Sequence, residues 1–90
     1  MDKLTQAKYK TCGFINTTPT GKLIYLFLDE LTFWNNGEAI LPQRVICDTL
    51  RLSRSAVRRN LRRLAAIGAI NIIPMYYEDG GRKANKYVVR

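Results

Sequence analysis

The sequence predicts a mainly α chain that closes on a small β-hairpin, an α+β fold built on a three-helix core. Three observations predict it. Apolar residues recur at helical spacing over 18–34 and again over 53–68, and a proline-led apolar segment lies between them at 42–50. After Gly68 the period changes to that of strands, in the runs 70–77 and 86–90. Glu78-Asp79-Gly80-Gly81 between those runs is a hairpin signal. Ninety residues make one domain with a modest core, so the helices must share it with strands or with a second subunit.

Residues 1–17 are polar and mixed and read as an N-terminal arm, with a short extended piece near Cys12–Ile15; 18–90 form the domain. The first helix begins at Thr18-Pro19, where Thr18 can cap and Pro19 loses no needed hydrogen bond. Gly21 weakens its first turn a little. Asn35-Asn36-Gly37 ends it after Trp34. Its predicted core stripe is Ile24, Phe27, Leu28, Leu31 and Trp34. Leu26 and Phe33 lie on the other side, beside Lys22 and Asp29. Three readings of that pair stand level: a homodimer interface, contact with the arm, or ordinary scattered surface hydrophobics.

Glu38-Ala39-Ile40-Leu41 reads as a short extended piece, and Pro42 suits the first turn of the second helix. That helix runs to about Leu50, with Val45, Ile46 and Leu50 on one side and Cys47 as a small buried hydrophobe. Arg51-Leu52 makes a tight turn. Ser53 caps the third helix, and Leu52 before it can staple onto Val57.

The third helix carries the chemistry. With Val57 as origin, Leu61, Leu64, Ala65 and Gly68 fall within about 80° of it. Ser55, Arg59, Arg62 and Ala66 fall opposite, with Arg58 and Arg63 at the margins. Arg54 makes a fifth arginine. No acidic residue occurs between Asp48 and Glu78 to pair with them, so a solvated helix laced with intrahelical ion pairs is the weaker reading. Two helices joined by a short turn, the second of them basic, are a helix-turn-helix. Pro74 inside the following strand suggests an edge or a bulge, and Arg82-Lys83-Ala84-Asn85 makes the hairpin tip basic.

Charge divides the chain. Residues 1–43 balance four lysines against four acids, whereas 44–90 set eleven basic residues against three acids and hold all of the net +8. Such a surface is suited to a polyanion. There is no histidine, metal-ligand cluster, phosphate-cradling glycine loop or nucleophile–base pair, so an enzyme is not expected, nor a cofactor or small-molecule ligand. No run approaches a membrane span and the start is not a signal peptide. Cys12 and Cys47 are expected as reduced cytoplasmic thiols.

From Thr20 onward the chain resembles the winged helix-turn-helix domains of bacterial regulators and replication initiators. The resemblance is carried by Thr20-Gly-Lys-Leu-Ile-Tyr-Leu-Phe-Leu, by Leu41-Pro-Gln and by Leu50-Arg-Leu-Ser-Arg-Ser-Ala-Val-Arg-Arg-Asn-Leu-Arg-Arg-Leu. Ile67-Gly-Ala-Ile and Asn85-Lys-Tyr continue it. Arg51 departs from the pattern, standing where the family usually has glycine. The resemblance implies a sequence-specific double-stranded DNA-binding protein of the cytoplasm and nucleoid, with helix 53–68 in the major groove and wing 78–86 on the backbone or minor groove. A catalytic or effector domain is not expected.

Ser53, Arg54, Ser55, Arg58 and Arg59 are then the candidates for base edges, and Arg62 and Arg63 for phosphates. Gln43 and Arg44 would meet phosphate at the start of the second helix. Arg82, Lys83 and Lys86 would do so from the wing, against plain solvation as an equal reading. A homodimer or cooperative assembly is expected, because a single module buries only about 600–1,000 Å² on DNA. Transcription control is the first reading. A replication-initiation or recombination accessory factor, and a winged-helix protein-interaction module, are the alternatives.

Overall fold

A computed structural model of the chain describes residues 15–90. The arm assigned to 1–17 falls largely outside those residues, as does Cys12. Six elements follow in order: α1 (Pro19–Phe33), β1 (Glu38–Ile40), α2 (Gln43–Leu50), α3 (Arg54–Ala66), β2 (Ile70–Ile73) and β3 (Lys86–Val89). Three helices pack with a three-stranded antiparallel sheet of order β1-β3-β2, a layout compatible with a winged helix.

Each boundary has a local cause. Thr18 caps α1, its Oγ1 accepting from the Gly21 N–H at 3.0 Å. Ser53 caps α3, accepting from the Ala56 N–H at 3.1 Å. Pro42 stands just outside α2 rather than in its first turn; its extended backbone leaves its carbonyl to accept from the Val45 N–H. α3 ends on Gly68, whose φ of 80° lets the Gly68 N–H reach the Ala65 carbonyl and the Ala69 N–H the Leu64 carbonyl. The same device ends α2, with Arg51 in place of glycine. Arg51 has φ 56° and ψ 46°, and Leu52 N–H donates to the Cys47 carbonyl at 3.0 Å.

The core joins one face of every helix to the inner face of the sheet. Ile24, Leu28, Ile46, Val57, Leu61, Leu64, Ile70 and Tyr87 are all within 1% of complete burial. Each such aliphatic side chain contributes about 1.5–3 kcal/mol relative to exposure. β3 is the central strand. Tyr87 lies opposite Ala39 on one side and Ile72 on the other, so the extended piece after α1 is a sheet strand. Pro74 follows the last residue of β2, an edge strand, where no ladder partner is lost.

The buried stripe of α1 differs from the predicted one. Gly21, Ile24, Tyr25, Leu28 and Thr32 are buried, while Leu31 is 44% and Trp34 89% exposed. The buried arc is rotated by about 80° from the expected stripe. α1 is wedged between α3 and the sheet, and both partners reach it from the Gly21–Tyr25 side. A Cβ at Gly21 would collide first with the Thr17 side chain and would also stand 3.2 Å from the Asn60 side-chain oxygen, so glycine makes room for Thr17 and, less tightly, for α3. The Tyr25 hydroxyl donates to the Arg90 carbonyl at 3.4 Å.

Candidate nucleic-acid interface

The outward face of α3 is built by its inward one. Val57, Leu61 and Leu64 are buried, with Asn60 at the edge of that stripe, 5% exposed. Burial of that arc turns Arg54, Ser55, Arg58, Arg59, Arg62 and Arg63 outward, and all six are exposed. Among the described residues none of the five arginines has an acidic partner; the ion pair there is Lys86–Glu38, at 3.6 Å. The guanidinium groups therefore keep their full donor capacity for an external acceptor. The Ser53 hydroxyl is engaged as the cap of α3; Ser55, two residues further, is exposed as Ser53 is.

The turn Arg51–Ser53 sets α2 against α3, and Leu52 packs at the margin of the core that holds Val57. Gln43 is half-buried and Arg44 exposed in the first turn of α2. Cys47 is a buried free thiol facing the core.

The hairpin after β2 narrows to a turn closed by two hydrogen bonds, Tyr77 N–H to the Gly81 carbonyl at 2.7 Å and Gly80 N–H to the Tyr77 carbonyl at 2.9 Å. Asp79 stiffens it by accepting from the Gly81 N–H at 2.8 Å. The tip thus holds Glu78 and Asp79, and the cations stand on its return limb. There the Arg82 guanidinium lies 5.4 Å from the Tyr76 ring centre, and the Lys83 ammonium 4.9 Å from that of Tyr77. Tyr76 and Tyr77 are 58% and 57% exposed. The rings hold two flexible cations in place without neutralising them. Lys86 lies apart from these two, inside β3 and beside Glu38.

Leu26 and Phe33 do not form a common exposed patch. Leu26 is half-buried against the core, and Phe33 stacks edge-on against Trp34 with ring centres 4.6 Å apart. The exposed apolar residues of α1 are instead Leu23, Leu31, Phe33 and Trp34.

A polar feature of the surface was not visible in the sequence. The Thr18 hydroxyl donates to Asn60 Oδ1 at 2.6 Å, and Asn60 Nδ2 donates to the Ala56 carbonyl at 2.8 Å. This joins the start of α1 to the middle of α3. A cleft of 210 Å³ lies there, lined by Thr18, Thr20, Ala56, Arg59, Asn60 and Arg63. The one sequence signal was a polar asparagine bordering the apolar stripe of α3.

No protein-family model matches the chain, and no curated protein matches it. Among the described residues no group of three or more histidine, cysteine or acidic side chains could hold a metal ion. No helix among them is long and apolar enough to cross a membrane.

Proposed function

We propose that the chain is a winged helix-turn-helix protein that binds double-stranded DNA in a sequence-specific manner and acts as a transcriptional regulator in the cytoplasm, on the nucleoid. The observation that carries this is α3: one face wholly committed to the core, the other presenting five exposed arginines with no acidic partner among the described residues. An α-helix of this width fits the major groove, where arginine donates two bonds to guanine. Arg54, Ser55 and Arg58, toward the start of α3, reach base edges in this reading. Arg82 and Lys83, held over their tyrosines, meet the flanking backbone or minor groove. Gln43 and Arg44 meet phosphate from α2.

A second copy completes the assembly. One module covers about 600–1,000 Å² on DNA, which is little for tight and specific binding. Leu23 and Leu31 on α1, with Trp34 just after it, are exposed apolar side chains that such a copy could cover.

The test is an anisotropy titration against a pool of random duplex DNA at two salt concentrations, with sequencing of the bound fraction. Salt-sensitive binding with an enriched motif is expected, the slope being about −0.9 per phosphate contact. A two-fold symmetric motif with half-sites about one turn apart is the signature of the dimer. Absence of binding at low salt would overturn the groove reading and leave a protein-interaction module as the better account.

A further inference from the structure

The arginines of α3 form two rows. At about 100° per residue, Arg54, Arg58 and Arg62 make one row at four-residue spacing, and Arg59 and Arg63 make another, about 100° around the helix from the first. Only the second row lies on the Asn60 side and lines the 210 Å³ cleft against Thr18 and Thr20. No carboxylate lines that cleft, and neither arginine has an acidic partner among the described residues.

We propose that this cleft holds one phosphate of the DNA backbone, gripped between the Arg59–Arg63 row and the Thr20 hydroxyl at the start of α1, the Thr18 hydroxyl being committed to Asn60. The inference rests on the DNA-binding reading above and deepens it. Arg59 becomes a phosphate ligand instead of a base reader, and the start of α1 becomes part of the interface. The volume has room for several water-sized groups, enough for a phosphate and its oxygens. Two guanidinium forks supply charge-assisted donors suited to a tetrahedral anion. The Thr20 hydroxyl has no protein partner among the described residues. The positive end of α1 adds to the arginines and does not make the site by itself. Asn60 is not a ligand. Its oxygen is held by Thr18 and its amide by Ala56, so it fixes the spacing of the two walls before DNA arrives.

The experiment is a scan of a duplex about two turns long in which single phosphates are replaced by neutral methylphosphonates. Affinities are measured for the wild type, Arg63→Ala, Thr20→Val and, as a control, Arg82→Ala. Arg63 and Arg82 are exposed and Thr20 is half-buried, and circular dichroism checks that each variant is folded. The wild type is expected to lose about tenfold at one phosphate flanking the groove. Arg63→Ala should lose a similar factor on the unmodified duplex and nothing further at that phosphate, with its salt slope reduced by about 0.9. Thr20→Val should show a smaller penalty at the same phosphate, and Arg82→Ala the full wild-type penalty.

Additive losses at every phosphate in Arg63→Ala, with wild-type binding intact, would overturn the cleft and leave the groove reading standing. Absence of duplex binding by the wild type would overturn both. Inorganic phosphate that shifts the Thr18 and Thr20 amide resonances, without coupling in the duplex scan, would show a site for free anions and overturn the backbone assignment.

Discussion

The Thr18 hydroxyl stands between two partners, accepting from the Gly21 N–H and donating to Asn60 Oδ1 at 2.6 Å. One group thus caps α1 and bolts it to α3. Because Asn60 is nearly buried, loss of the partner strands a polar atom, which costs more than an ordinary hydrogen bond contributes. Thr18→Ala should lower stability by about 1–3 kcal/mol. In a double-mutant cycle with Asn60→Ala, chemical denaturation should show a coupling of at least about 0.5 kcal/mol. Strict additivity would mean that the two side chains act independently.

Arg51 holds a left-handed backbone with φ 56° where glycine has no steric cost. Left-handed geometry costs an ordinary residue about 1–2 kcal/mol, and glycine gives part of that back through its freer unfolded chain. Arg51→Gly should therefore stabilise the fold by roughly 0.5–1 kcal/mol, read as a higher denaturation midpoint with unchanged slope.

Leu28 and Trp34 were expected on one stripe and are found in opposite environments. Leu28→Ala should cost about 2–5 kcal/mol through loss of burial and the cavity left behind. Trp34→Ala should stay within about 0.5 kcal/mol of the wild type. Equal losses would place Trp34 in the core. The emission of this single tryptophan should already be that of a water-exposed ring in the free monomer.

Tyr87 is wholly buried in β3, and its hydroxyl lacks a hydrogen-bond partner among the described residues, as does Asn85 Oδ1. Burial pushes its pKa above the ordinary 10.0, against the smaller opposing pull of the Asn85 side chain and the Arg82 charge. The folded state therefore holds this proton more tightly than the unfolded chain does. Stability from this group is complete below about pH 10 and falls as pH rises from there through the folded pKa. Tyr87→Phe should remove that alkaline decline in melting temperature.

Arg58 and Lys83 should behave differently on DNA if one reads bases and the other holds backbone. Arg58→Ala should cost about 1–3 kcal/mol on the preferred site and relax selection at one base pair. Lys83→Ala should weaken all duplexes alike and flatten the salt slope by about one unit. Matching behaviour across sequences would argue against this division of roles.

Much of this was legible along the chain because it is set by neighbours a few residues apart. The capping hydroxyls of Thr18 and Ser53, the apolar arc of Val57, Leu61 and Leu64 and the outward arginines all follow from local spacing. So does the change from helical to strand period after Gly68. Gly68 itself, read as part of that arc, instead lies exposed and left-handed beyond the end of α3. The hairpin tip was read too basic, since Glu78 and Asp79 occupy the turn itself.

Hydrophobic spacing alone determined that α1 would bury one face, and the arrangement of three helices and a hairpin. It could not select the face, because α1 carries apolar side chains around most of its circumference. Only the tertiary structure decided that, by packing α3 and the central strand β3 against the Gly21–Tyr25 side and leaving Trp34 in water. The same packing enrolled residues 38–40 as a third strand and brought Thr18 to Asn60 across 42 positions of chain. Contacts at such separations depend on how whole elements dock, and no periodicity within either element encodes them.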